Sequence, residues 1–150
     1  MLMGSMGVPF EITEGLDNVW GFQGTLEHMK SVMGYFAYDK SLTSGDLAQA
    51  RFEGATQPGF QESFSSMFPA PRQRWVESMT VADDEIRSLP HRTLIVHGRE
   101  DQVIPLETSL KLPQLLDELC PSGERVVEGV GGGEPLRHPT TGLSSGQRCW

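Results

Sequence analysis

The stretch 93-TLIVHGREDQVIP-105 constrains this chain more than any other. Thr93-Leu94-Ile95-Val96 is a short continuous apolar run between polar residues, the pattern of a strand buried on both faces in a parallel sheet. It runs into His97-Gly98; three residues past that glycine stands Asp101, and Pro105 closes the segment. A carboxylate just beyond the C-terminal end of a buried parallel strand lies where open α/β sheets place their active sites. One strand cannot make a sheet, so the segment requires neighbours that the rest of the sequence does not announce.

Upstream the period is helical. Leu26, Met29, Val32, Met33 and Phe36 recur at helical spacing over 25–36, with His28 and Lys30 off that stripe. A second helix starts near Thr43 or Ser44, where Thr43 and Asp46 form a capping-box-like pair, and runs through Leu47, Ala50 and Phe52 until Pro58-Gly59. Phe60, Phe64, Met67 and Phe68 then give 60–68 one strongly apolar face, ended by Pro69 and Pro71. Short helical pieces around 75–79 and 82–89 complete a helical region of 25–89. Beyond the strand, Leu112, Leu115, Leu116 and Leu119 mark another helix, in which Pro113 either introduces a kink or forms the first turn.

Residues 121–150 differ in character, holding seven of the 17 glycines and three of the ten prolines without periodicity. Gly131-Gly132-Gly133 lacks the lysine and spacing of a phosphate-binding loop and reads as linker, so this tail is expected to be disordered. Residues 1–10, with Met1, Met3 and Met6 among glycines, show neither helix cap nor strand alternation.

Composition narrows the function. A length of 150 residues suits one domain, and 37% hydrophobic content suffices for a core. A net charge of -8 argues against nucleic-acid partners, which require clustered Lys and Arg. No run approaches a membrane span and no leader pattern opens the chain, so a cytoplasmic location is expected. Cys120 and Cys149 form no metal-binding or redox pair, and no metal or other cofactor is expected.

The chemistry that uses an aspartate placed like Asp101 is the Ser-His-Asp triad, in which the carboxylate orients an imidazole and stabilises the imidazolium. In α/β-hydrolases the chain order is Ser, then Asp or Glu, then His. The serine belongs upstream in G-x-S-x-G. Met3-Gly4-Ser5-Met6-Gly7 comes close, but Met3 stands where the first glycine belongs and too little chain precedes Ser5, which reads as a loop residue. Downstream, His138 follows Arg137 in a Pro-rich stretch with no strand before it. His97 reads as a strand-end residue; His28 and His91 read as surface positions.

Four segments carry a resemblance beyond this motif: LMGSMGVPFEITEGLDNVWGF (2–22), FAYDKSL (36–42), PGFQESFSSMFPAPRQRWV (58–76) and LPHRTLIVHGREDQVIPLETSL (89–110). Over residues 1–119 the chain resembles the 2-hydroxymuconic semialdehyde hydrolases, meta-cleavage-product C–C hydrolases of aromatic catabolism. The resemblance implies an α/β protein with a partial α/β-hydrolase fold, mostly helical cap plus one core strand and helix. Residues 1–7 become the end of a core strand, 8–88 the cap, 89–119 the core strand, acid loop and helix, and 120–150 a disordered or frameshifted tail.

The same resemblance makes Asp101 the triad acid and Arg72, Arg74 and Trp75 candidates for binding substrate. An arginine solvated on a cap helix, and a tryptophan in the core, are the competing readings. Relatives tend to carry arginine where this chain has Gln57. The activity implied is hydrolysis of 2-hydroxy-6-oxo-dienoates, small molecules, by an intact enzyme whose oligomeric state stays open, a homo-oligomer being one of its forms. The family's nucleophile elbow and Gly-His-Trp have no counterpart here, so a truncated frame with a frameshift near 117–121 and an inactive, poorly folding polypeptide are expected. Another α/β-hydrolase, an esterase or dehalogenase, or a non-enzymatic acidic helical binding module are the alternatives.

Overall fold

The computed structural model describes residues 1–37, 45–91, 93–116, 126–129 and 136–137. The strand demanded by the sequence is β2 (Ile95–His97), with Ile95 and His97 both buried. On one side it pairs in parallel with β1 (Leu2–Met3), Leu2 opposite Ile95 and Met3 opposite Val96. The Leu2 and Gly4 N–H groups donate to the carbonyls of Leu94 and Val96 at 2.8 and 3.0 Å. On its other side β2 pairs in parallel with β3 (Val126–Gly129), and β3 pairs antiparallel with β4 (Leu136–Arg137).

Within 120–150, the tail expected to be disordered or frameshifted, the described residues are these two short strands, 126–129 and 136–137. A buried strand leaves unpaired donors and acceptors on each edge, and β1 and β3 supply partners for β2 on both sides, Val127 opposite Ile95. Four and two residues are too short to show a period in sequence.

Between β1 and β2 the described residues form six helices. The first, α1 (Glu14–Trp20), starts where the sequence reading placed none. The Thr13 hydroxyl caps it by accepting from the Leu16 N–H at 3.0 Å, Glu14 and Asp17 occupy its first turn, and its inward face buries Leu16 and Trp20. The helix expected at 25–36 is α2 (Leu26–Phe36), capped by Thr25 and burying Met29, Val32 and Met33. It packs on α3 (Gly45–Ala55), whose Ala48 is buried; Thr43 and Ser44, the expected cap, lie outside the described residues.

The phenylalanine-rich helix is α4 (Phe60–Met67), and its apolar face is divided: Phe64 and the following Phe68 pack inward, whereas Phe60 is 60% and Met67 50% exposed. Short α5 (Gln73–Ser78) and α6 (Asp83–Arg87) follow, burying Val76 and Ile86. After β2, α7 (Leu106–Leu116) begins directly behind Pro105, so Pro113 falls inside the helix and not in its first turn.

Three apolar clusters hold these elements. Val8, Ile86, Ile95, Leu112 and Leu115 join the sheet to α6 and α7. Leu16, Trp20 and Val76 of the helical layer meet Val103 and Ile104 of the loop after β2. Phe22, Met29, Val32, Met33 and Ala48 form the outer cluster. The middle cluster positions the site, because it glues the helical layer onto the loop that carries Asp101. Among the described residues no helix is long and apolar enough to cross a membrane.

Candidate active site

Asp101 stands at the C-terminal edge of the parallel strands, four residues past the end of β2, with its side chain 26% exposed. The backbone turns beneath it, the Asp101 N–H donating to the Gly98 carbonyl at 3.2 Å. Its Oδ1 accepts two backbone hydrogen bonds, from Val103 N–H at 2.8 Å and Ile104 N–H at 3.0 Å. Hydrogen bonds to a charged acceptor contribute about 1.5–3 kcal/mol each, so the two together fix the carboxylate in rotation. The other oxygen, Oδ2, is turned toward the end of β1: a Cβ placed on Gly4, whose φ is +47°, would lie 3.6 Å from it. The parallel pairing of β1 and β2 thus brings their C-terminal ends to one point.

Beneath the loop lies His97, 1% exposed. Its Nε2 is 2.9 Å from the Ile104 carbonyl and its Nδ1 is 2.6 Å from the Ser109 Oγ, itself fully buried on α7. A carbonyl only accepts, so Nε2 carries the proton; the neutral ring then offers Nδ1 as acceptor to the Ser109 hydroxyl. Both nitrogens are committed. Nε2 also lies 3.7 Å from Asp101 Oδ2, beyond hydrogen-bond length. His97 is a strand-end residue with a structural task, in keeping with its sequence reading.

The other histidines stand elsewhere. His91 is exposed, and His138 lies outside the described residues. His28 corrects its reading as a surface position: it is half-buried, its Nδ1 accepts from the Gln23 N–H at 3.1 Å, its ring leans on Phe22, and Nε2 is buried without a partner. The bond to the Gln23 N–H, in the turn that leads into α2, draws His28 inward although it lies off the apolar stripe. Ser5 sits in the link between β1 and α1, which begins nine residues later, so it occupies no strand-to-helix elbow; its carbonyl accepts from the Thr108 hydroxyl at 3.4 Å.

Arg72, Arg74 and Trp75 gather around α5, and Trp75 packs against the cluster that includes Val103 and Ile104 of the acid loop. Arg72 donates from Nη1 to Asp17 Oδ1 at 3.0 Å and from Nε to the Phe68 carbonyl at 3.0 Å, with its side chain 22% exposed. Arg74 donates to the Pro69 carbonyl at 3.3 Å and lies 4.7 Å over the Trp75 ring, while Trp75 donates from Nε1 to the same carbonyl at 2.9 Å. These contacts tie α5 to α1 and to the turn after α4. The partner of Arg72 lies 55 residues away in sequence, which no local pattern reveals.

A separate cleft of about 800 Å³ opens among α2, α3 and α4, lined by apolar residues including Phe22, Met33, Phe36, Leu47 and Phe60, with Arg51 and Gln61 as polar members. Neither Asp101 nor any of the three α5 candidates lines it.

What the sequence reading missed is how the acid loop is held from above. The Thr13 hydroxyl donates to the Val103 carbonyl at 2.7 Å while capping α1. Gly15 lies so close to the loop that a Cβ there would be 2.3 Å from the Gln102 carbonyl oxygen. The signal available was Thr13 followed by acidic Glu14, a cap without a sustained apolar period behind it.

No family model matches the chain. Among curated proteins it is 58% identical over 117 residues to the 2-hydroxy-6-oxo-2,4-heptadienoate hydrolase of Pseudomonas putida strain F1, and 54% identical over 112 residues to the 2-hydroxymuconate semialdehyde hydrolase of Pseudomonas sp. strain CF600. These matches take in 78% and 75% of this chain. Among solved structures, the meta-cleavage product hydrolase CumD of Pseudomonas fluorescens IP01 superposes with a TM-score of 0.74 at 54% identity over 75% of this chain. The chain belongs to the meta-cleavage product hydrolase family.

It spans 42% and 40% of the length of those two curated relatives and 42% of CumD. A serine hydrolase of Cycloclasticus zankles, 28% identical, has the same fold with a TM-score of 0.75 over 85% of this chain. The mostly helical architecture on a short parallel sheet is accordingly a partial α/β-hydrolase fold, as the resemblance implied.

Proposed function

We propose that this chain contributes the cap helices and the acid member of a serine-hydrolase triad that cleaves a carbon–carbon bond in 2-hydroxy-6-oxo-dienoates. The printed activities of the two curated relatives, a heptadienoate and a semialdehyde hydrolase, give the substrate class. The observation that carries the role of Asp101 is its carboxylate geometry: Oδ1 is saturated by two backbone donors and Oδ2 has no hydrogen bond from any described residue. A carboxylate held by one oxygen and open at the other suits the task of accepting an imidazole N–H, fixing its tautomer and stabilising the imidazolium when serine loses its proton. No G-x-S-x-G precedes Asp101 in these 150 residues, and the match at Gly142-Leu143-Ser144-Ser145-Gly146 lies after it, against the Ser, Asp, His order, so in this reading another segment supplies the nucleophile. The substrate is a small molecule and the setting cytoplasmic in this reading, with neither nucleic acid nor membrane as partner. The internal contacts of Arg72, Arg74 and Trp75 favour a scaffold role for them over contact with substrate.

The test is a hybrid enzyme in which residues 1–116 replace the homologous segment of the Pseudomonas putida F1 relative. We expect the hybrid to hydrolyse its ring-fission substrate, followed as loss of dienoate absorbance, and Asp101→Asn to lower kcat about 10⁴-fold with KM little changed. The 150-residue chain alone should give no turnover. An Asp101→Asn hybrid within tenfold of the parent, or turnover by the unaided chain, would overturn the proposal.

A further inference from the structure

We infer that His97 and Ser109 are positioning residues for Asp101, acting through the backbone of Ile104, an inference that rests on the role of Asp101 proposed above. Four groups form one unbroken chain of hydrogen bonds. The Ser109 hydroxyl donates to His97 Nδ1 at 2.6 Å, His97 Nε2–H donates to the Ile104 carbonyl at 2.9 Å, and the Ile104 N–H donates to Asp101 Oδ1 at 3.0 Å. Ile104 therefore has both backbone polar groups fixed, one by the carboxylate and the other by the imidazole.

Among the described residues, the imidazole is the side chain that bonds the Ile104 carbonyl from below the loop. His97 and Ser109 are 1% and 0% exposed, so no water competes for either bond, and the Nε2–H tautomer satisfies both ring nitrogens and the Ser109 hydroxyl. That tautomer leaves no lone pair on the ring for use as a base. His97 thus differs in kind from a triad histidine: it aims the acid and exchanges no proton with substrate. A loop displaced by about 1 Å costs on the order of 10²-fold in rate when it carries a catalytic group, which sets the scale of the effect.

The hybrid enzyme separates this role from the alternatives. His97→Phe keeps the ring's bulk and removes both nitrogens, and should lower kcat about 10–100-fold with KM within about twofold. His97→Gln places an amide N–H near the position of Nε2 and should recover kcat to within about fivefold of the parent, since only the donor to Ile104 is required. Ser109→Ala, which removes the smallest number of atoms, should fall between them and covers the case in which His97→Phe does not fold. A residue needed only for stability would change the melting temperature and leave kcat of the folded fraction intact; that result for both His97→Phe and Ser109→Ala would overturn the inference. So would a His97→Gln hybrid as inactive as Asp101→Asn, because the imidazole itself would then be the reacting group. Loss of activity in Asp101→Asn with no effect at His97 and Ser109 sinks this inference alone, whereas full activity in Asp101→Asn removes the proposed function beneath it.

Discussion

At the scale of single residues, the acid loop is held by atoms that have no chemistry of their own. Gly15 is the sharpest case. Alanine is the better helix former by about 1 kcal/mol, yet its Cβ would meet the Gln102 carbonyl oxygen at 2.3 Å and the Gln102 carbonyl carbon at 3.0 Å. Both atoms are backbone and cannot swing aside. Gly15→Ala in the hybrid should therefore lose about 1–3 kcal/mol in chemical denaturation despite the favourable propensity, and an unchanged or raised midpoint would refute the contact. Thr13 serves twice, as cap of α1 and as donor to Val103. Asp101 was legible in the sequence because its meaning depends on spacing from a strand; Gly15, Thr13 and Ser109 were not, because their partners lie on other segments.

The elements divide by length. The helix of 25–36 and the strand at 95–97 were legible because a sustained period or a continuous apolar run identifies them. The seven-residue α1, with a glycine at its second position, carries no such stretch, and the two-residue β1 exists only because β2 offers it an edge. The packing that fixes α1 is aromatic: the Trp20 and Phe68 rings stack with centroids 4.4 Å apart and 4° between planes, and Phe64 and Trp75 meet Phe68 edge-on at 5.9 and 6.4 Å. At the other end of the layer the Tyr35 hydroxyl donates to Glu14 Oε1 at 2.9 Å, and that carboxylate acceptor holds the phenol above its usual pKa. Because Trp20 packs in the same cluster as Val103 and Ile104, Trp20→Ala should cost about 3–5 kcal/mol and lower kcat of the folded hybrid as well. A loss of stability with undiminished kcat would show that α1 does not support the loop.

For the whole molecule, the sheet has strand order β1-β2-β3-β4, which leaves the outer edge of β1 without a partner among the described residues. Met1 and Met3 beside that edge are 74% and 66% exposed. An unpaired edge with apolar side chains is a template for association, so the 150-residue chain on its own should self-associate at concentrations on the order of ten micromolar. Sedimentation velocity across a concentration series measures this; a monomer throughout would contradict it, and Met3→Lys, which charges the edge, should suppress the effect.

The hydrogen bond from Thr13 to Val103 joins residues 90 positions apart in sequence, and Gly15 rests on Gln102 beside it. Crossovers between related genes that fall anywhere from 16 to 101 would pair a threonine and glycine from one parent with an incoming turn from another. Such recombinants inherit a mismatched clasp, so shuffled libraries of these genes should keep 13–15 and 102–103 from the same parent far more often than chance among their active survivors.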